Sequence, residues 1–348
     1  MSVPTPAQAK RLAPCAVLGA FLLGPAFACA AGDDPRVWLE KMNHALATRN
    51  YDGIFLHDSG KSVETMRIVH RMLDGRVTER LASMDGSGRE FVRNRDELTC
   101  YLPDKKTVLV QPRQAHGPFL GALPQFGAGV NDNYRIESLP ATRVIGHAVH
   151  VVAVNPKDQF RFGYRLWLDD KTAMPLKTQL CDARGDVIEQ IVFAKLRIPD
   201  TIPDKDLAPS VHADGMRWVR QNPAESAGTD LALFRASHLP PGFSLTATGA
   251  QRIDGQTAPA SHLVYSDGLA TVSVFVEAGP ATPAPPVAAE PATRASFEDL
   301  EHYGSGYVFS TVVPGGYQVT AVGEVPAQTV QEIARSVRAM TGGGALAH

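Results

Sequence analysis

Turn signals cut the first two hundred residues of this chain into short β-rich runs, and that punctuation leaves few folds open to it. Tyr51 to His57 stops at Asp58-Ser59-Gly60, Val63 to Leu73 at Asp74-Gly75, and Arg76 to Met84 at Asp85-Gly86-Ser87-Gly88. Glu90 to Arg93, Leu98 to Leu102 and Thr107 to Val110 follow, with Pro103-Asp104 as a turn between the last two. Short strands joined by Asp-Gly and Pro-Asp turns predict an antiparallel meander, and the absence of a βαβ rhythm disfavours a nucleotide-binding α/β fold. The meander resumes with Thr142 to Asn155, Phe160 to Leu168, Met174 to Cys181 and Val187 to Ile198. Val151 to Val154 is apolar on both faces and is expected to be buried on both. In the Phe160 run, Phe160, Phe162, Tyr164, Leu166 and Leu168 share one face, while Arg161, Gly163, Arg165 and Trp167 share the other. About ten strands make one large twisted sheet, which must curl at that size. Its concave apolar face is the natural place for a binding groove.

One helix opens this region. Asp34 before Pro35 is a capping acid ahead of a proline at the first helical position. Trp38, Met42, Ala45 and Leu46 then fall on one face, and the helix ends near Asn50. Residues 112–133 are rich in Gly and Pro, with Phe119, Leu120, Leu123 and Phe126 between. They read equally as a flap over an apolar surface or as a short helix packed on the sheet.

With 348 residues the chain is long enough for two domains. Residues 199–229 are proline-rich and poor in apolar side chains apart from Trp218-Val219, and read as a linker with one docked strand at Met216 to Arg220. A smaller domain over 230–341 follows. Its expected strands are Phe243 to Thr248, Ala260 to Ser266, Ala270 to Val276, Tyr307 to Val312 and Tyr317 to Val322. Asp267-Gly268 and Pro314-Gly315-Gly316 serve as hairpin turns. Residues 279–292 form a proline-rich loop. Val330, Ile333, Val337 and Met340 mark a closing amphipathic helix, and residues 342–348 a disordered tail. The first domain is thus expected to span 31–198.

Residues 1–30 read as a secretory signal peptide. Lys10-Arg11 is its basic start, Val17 to Leu23 its apolar heart, and Ala28-Cys29-Ala30 its cleavage site. Export places Cys100 and Cys181 where disulfides persist. A bridge between them would contribute about 4–5 kcal/mol in the chain-entropy model. Two free buried thiols are the alternative, and spacing does not choose. The absence of a CxxC motif argues against a zinc site or a thioredoxin-like centre. Lys and Arg total 34 against 36 Asp and Glu, which disfavours a protein that lives on nucleic-acid phosphates.

The sequence holds no catalytic constellation. His57-Asp58-Ser59 has the letters of a hydrolase relay, but neighbours in a strand point to opposite faces. Gly86-Ser87-Gly88 lacks the strand–elbow–helix setting of a nucleophile. His147 and His150, three apart in a strand, face opposite ways and cannot share a metal. No cofactor is expected.

Several stretches resemble the MucB/RseB regulators of envelope-stress sigma factors. In the first domain these are YDGIFLHDSG (51–60), VETMRIVHR (63–71), REFVRNRDELTCYLPDKKTV (89–108) and LWLDDKTAMPLKTQLCDARGDVIEQIVF (166–193). In the second they are HLVYSDGLATVSVFVE (262–277) and GGYQVTAVGEVPAQTVQEIARSV (315–337). The resemblance implies a mostly β (α+β) protein, with a large antiparallel half-barrel sheet and helices, lipoprotein-carrier-like, and a second, smaller α/β domain. It also implies a periplasmic, non-enzymatic protein. Such a protein binds a membrane-anchored anti-sigma factor of the MucA/RseA type, shields it from regulated proteolysis, and is released by lipopolysaccharide or another acylated ligand. Self-association stays open. On this reading an acyl groove would be lined by Phe55, Met66, Ile68, Phe162, Tyr164 and Trp167, and partner contacts would come from Tyr265, Phe275 and Tyr317. Ordinary sheet core is the alternative role for each. A periplasmic carrier or chaperone for lipidated cargo is the alternative function.

Overall fold

The computed structural model describes residues 34–112, 126, 130–220, 234–251, 259–278 and 298–340. The expected signal peptide over 1–30, most of the 112–133 segment, the expected 279–292 loop and the expected tail lie outside these. The first six strands run as the sequence predicts: β1 (Tyr51–Asp58), β2 (Val63–Leu73), β3 (Arg76–Ser83), β4 (Glu90–Arg93), β5 (Glu97–Leu102) and β6 (Thr107–Pro112). A short helix, α2 (Val130–Asn133), and five more strands follow, β7 (Tyr134–Val144), β8 (His147–Pro156), β9 (Gly163–Asp169), β10 (Pro175–Cys181) and β11 (Val187–Arg197). With β12 (Arg217–Arg220) they form one twelve-stranded sheet, in the order β12-β6-β5-β4-β3-β2-β1-β11-β10-β9-β8-β7. Every pairing is antiparallel except β12 on β6. The first and last strands of the meander, β1 and β11, meet in the middle.

Helix α1 (Pro35–Thr48) lies against one face of this sheet. Asp34 caps it, its carboxylate accepting from the Arg36 N–H at 2.9 Å, and Pro35 opens it where a missing N–H costs nothing. Trp38, Leu39, Met42, Ala45 and Leu46 are buried against Phe55, Met66, Ile68, Val152, Val154, Leu166, Leu168, Met174 and Phe193. These partners come from both arms of the sheet, so the strands wrap the helix. At about 1.5–3 kcal/mol for each large apolar side chain, this is the main source of cohesion in the sheet domain.

Several stretches differ from expectation, among them the closing helix, which stops at Arg335 so that Val337 lies in a strand over Val337–Ala339 and Met340 just beyond it. The run Thr142 to Asn155 is broken by a turn at Ile145-Gly146, both with positive φ (43° and 84°), and an unforeseen strand, β7, precedes it. A β-branched residue rarely enters the left-handed region, so Ile145 hid the turn. Phe160 and Phe162 lie in the loop before β9, not in a strand. The stretch after β11 is laid across the outer face of the sheet. Ile202 and Leu207 pack on Val69, Ser210 N–H donates to Glu90 at 3.0 Å, and α3 (Asp204–Leu207) lies beside β2 and β3.

Cys100 and Cys181 are free buried thiols, and the bridge that export would permit is not made. Cys100 sits on β5 and Cys181 on β10, six strand steps apart at about 4.8 Å each along the sheet. Cross-strand pairing carries Cys100 through Phe91, Leu81 and Ile68 to the helix-covered face, whereas Leu180 pairs with Tyr164 on that face and the next residue, Cys181, points to the other. No rotamer joins two such side chains.

The second region has a two-stranded sheet, β13 (Phe234–Ala236) with β20 (Val337–Ala339). It also has a six-stranded sheet ordered β14-β15-β16-β19-β18-β17. Its strands are β14 (Ser244–Gln251), β15 (Ala260–Ser266), β16 (Thr271–Ala278), β17 (Glu298–Tyr303), β18 (Gly306–Val313) and β19 (Tyr317–Gly323). Helix α4 (Ala327–Arg335) buries Val330, Ile333 and Ala334 against Leu263, Val272, Val274, Phe309, Val319 and Ala321.

Leu39→Ala is expected to cost about 2–5 kcal/mol in urea unfolding, and Asp34→Ala about 1 kcal/mol. Under denaturing conditions without reductant, Cys100 and Cys181 should both react with a thiol reagent. Recovery of an oxidised pair would contradict the arrangement.

Candidate functional site

The concave face is built by alternation. Phe55, Met66 and Ile68 stand on neighbouring strands with their side chains toward α1, and all three are buried in its core. Tyr164, half-buried on β9, joins the same face and meets the Phe126 ring edge-on at 6.0 Å. Phe126 in turn offers its carbonyl to Asn43 Nδ2 of α1 at 3.3 Å, so this residue of the 112–133 segment belongs to the cover of the trough. Phe162 is buried beside the start of β9. Trp167 departs from the set. It alternates with Leu166 and Leu168 and packs with Val149, Val151 and Leu176 on the opposite face, under Lys177 Nζ at 4.5 Å. It therefore cannot line the trough.

One end of the trough is polar. The His70 ring stacks on Tyr51 with centroids 4.6 Å apart, its Nδ1 lies 2.7 Å from Glu79 Oε1, and Glu79 also pairs with Arg93. Burial and the Arg93 charge pull His70 down to about 4, so it stays neutral and donates its Nδ1–H to the carboxylate.

The three expected partner residues do not form a patch. Tyr265 is buried in the second core, where its hydroxyl accepts from the Ala236 N–H at 2.8 Å. Phe275 lies half-buried, stacked flat on His262 at 4.6 Å. Tyr317 is half-buried edge-on to Phe234 at 4.8 Å.

What the sequence did not disclose is the seam between the two sheets. Arg161, fully buried, pairs with the equally buried Asp267 and forks onto Asp158 at 3.0 and 2.9 Å. It also donates to the Pro241 carbonyl at 2.5 Å, and lies between the rings of Tyr134 (5.5 Å) and Phe243 (5.3 Å). Tyr134 Oη donates to Asp267 Oδ2 at 3.1 Å, while Asp267 Oδ1 accepts the N–H groups of Leu269 and Ala270. Thus the second sheet's Asp267-Gly268 turn, read from sequence only as a hairpin, carries the counter-ion for an arginine of the first. At the start of α4, Gln328 and Thr329 donate to the carbonyls of Gln159 and Phe160 at 2.5 and 2.7 Å. Leu269 packs on the helix-covered core.

A second polar contact lines a small cavity on the same seam, bounded by Tyr164, Thr178, Leu180, Glu189, Ile191 and Glu324. His57 Nε2 lies 2.7 Å from Glu189 Oε1, and Ser305 Oγ donates to Glu324 Oε1 at 3.1 Å. The bond to Glu189 raises the His57 pKa above its ordinary 6.5. Burial opposes the Glu189 charge, but His57 and Ser305 outweigh it and lower that pKa. Withdrawal from water, and then the Glu189 charge, raise Glu324. His57, Asp58 and Ser59 thus have separate partners, since Asp58 accepts from the Gly60 N–H and Ser59 Oγ bonds Ser62. They form no relay. Among the described residues no three His, Cys, Asp or Glu side chains gather to hold a metal.

Removing one member of a buried, hydrogen-bonded ion pair strands the other, at about 3–5 kcal/mol. Arg161→Ala should therefore lower urea stability by about that much, and the double variant with Asp267→Ala should lose far less than the sum of the two. The raised His57 pKa means that the stabilisation from its pair is complete below about 6.5 and is lost as pH rises through the folded-state value. The urea-stability gap between the wild-type chain and His57→Gln should shrink steadily from pH 5.5 to 8.5. A gap that widened would reverse the assignment.

Comparison with known proteins places this architecture. Residues 34–211 match the MucB/RseB N-terminal domain and residues 229–338 the MucB/RseB C-terminal domain. The chain is 30% identical to the sigma factor AlgU regulatory protein MucB of Pseudomonas aeruginosa over 328 residues, which is 92% of this chain and 95% of that protein. It is 25% identical to the sigma-E factor regulatory protein RseB of Escherichia coli over 307 residues, 86% and 89% of the two chains. A crystal structure of MucB in complex with MucA(peri) superposes with a TM-score of 0.67 at 27% identity, covering 89% of this chain and all of that one. A crystal structure of MucB gives 0.57 at the same identity, covering 89% and 99%.

Proposed function

Because this chain belongs to the MucB/RseB family, we propose that it is a periplasmic regulator that grips the periplasmic segment of a membrane-anchored, MucA/RseA-like anti-sigma factor and shields it from proteolysis. The observation that carries the reading is the match of both family domains along one chain, in order, together with the likeness to MucB in complex with MucA(peri). The N-terminal export signal read from the sequence agrees with a periplasmic partner.

Shielding and release are linked equilibria. An acylated ligand such as lipopolysaccharide frees the partner only by binding the unpartnered form better, and a tenfold shift takes about 1.4 kcal/mol. Burying a few methylenes at about 0.8 kcal/mol each supplies that. On this reading the acyl chain enters the concave face at Phe55, Met66, Ile68, Phe162 and Tyr164. Since the α1 side chains already fill that face, the chain must exchange with them, and α1 would shift as the ligand enters. Half-buried Phe275 and Tyr317 are the partner contacts this reading retains, whereas Tyr265 is buried in the second core and is not one of them.

Purified protein should protect a MucA/RseA-like periplasmic domain from its initiating protease, and lipopolysaccharide should remove the protection. Met66→Trp, which overfills the trough, should blunt release by lipopolysaccharide while leaving protection in place. Failure to retain the anti-sigma segment at micromolar concentration would refute the proposal.

A further inference from the structure

The sheet face opposite α1 carries an open hollow of about 260 Å³ that neither the trough nor the seam uses, lined by Asp52, Gly53, Ile54, Arg67, Met84, Lys195 and Arg197. Strand register assembles it. Ile54 on β1 is paired with Arg67 on β2 and with Lys195 on β11, and Asp52 is paired with Arg197. Alternation sends these side chains away from α1, while Gly53 between them turns the other way, toward Phe193.

The charges do not cancel. Asp52 is buried and holds two guanidinium groups, accepting from Arg67 Nε and Nη2 at 3.0 and 3.2 Å and from Arg197. Lys195 is exposed and makes no ion pair among the described residues. An acid at the edge of the hollow is Asp206 of α3, 3.7 Å from Arg67. Three cations thus face one carboxylate in the lining and a second at its edge. A guanidinium has five N–H groups, and Asp52 takes two from Arg67 and one from Arg197. The buried carboxylate fixes both forks and leaves donors over. Fixed forks beside a free ammonium suit a tetrahedral oxyanion, since a fork presents paired donors to two of its oxygens. Ile54 and the exposed Met84 give the hollow an apolar floor and lip, on which the organic part of an ester can rest.

We propose that this hollow is a binding site for a phosphate group, held by Arg67, Lys195 and Arg197, on the opposite face of the sheet from the acyl trough. The site does not rest on the anti-sigma reading. Its phosphate can come from a soluble phosphate or from a lipid headgroup, and the test has an arm for each.

The test uses the exported chain and the variant Lys195→Ala/Arg197→Ala. Both side chains are exposed, so the fold should survive, whereas Arg67 is left in place because its loss would strand buried Asp52. Inorganic phosphate, titrated by calorimetry at low ionic strength against a chloride control, should bind saturably to the wild-type chain and at least tenfold more weakly to the double variant. Vesicles of phosphatidylglycerol, against phosphatidylcholine, form the second arm. Phosphate binding together with variant-sensitive vesicle binding assigns the lipid headgroup, and phosphate binding without it assigns the soluble source. Phosphate that binds no better than chloride, or equally well to the double variant with an unchanged melting temperature, overturns the site.

Discussion

The sheet domain depends on the burial of one helix face. A twelve-stranded sheet that curls leaves a concave apolar surface, and water would make that surface a liability. Helix α1 covers it with Trp38, Leu39, Met42, Ala45 and Leu46, which touch strands from both arms of the meander. The same contacts that hold the curl in place therefore occupy the surface on which an acyl ligand would have to act. In a close-packed interior, entry of a ligand means exchange of side chains and not the filling of an empty channel.

The seam adds the second constraint. Arg161 brings a full positive charge out of water, and such a group is tolerated only if its partners are fixed and complete. Asp267, Asp158, the Pro241 carbonyl and two aromatic rings supply them, from both sheets at once. The pair does not bring the domains together by net attraction, because desolvation absorbs most of the Coulomb gain. It specifies one relative placement, since any other leaves a buried charge without its counter-ion. The His57–Glu189 contact and Glu324 sit on that seam where protonation can alter it.

Much of the fold was legible because its signals are local. The turn residues that bound β1 to β6 and β9 to β11 are written within a few residues of each strand, and so is the Asp34-Pro35 helix start. Illegibility had equally local causes. Ile145 adopts a backbone conformation that its side chain disfavours, so the β7–β8 turn looked like strand. Glu298–Tyr303, exposed along its whole length, carries no burial pattern to read. Of the trough residues, Phe55, Met66, Ile68 and Tyr164 were readable from alternation, and Trp167 was misplaced although its parity with Arg161 and Arg165 marked it as outward-facing.

The sequence alone determined the meander, the capped helix and, through its motifs, the family. Each depends on neighbours in the chain or on resemblance of whole stretches. Only the tertiary structure decided that Cys100 and Cys181 remain thiols, that Arg161 finds Asp267, and that Arg67, Lys195 and Arg197 share one hollow. Those facts join residues far apart in the chain. They follow from strand order and sheet curvature, which set distances that no spacing along the sequence encodes.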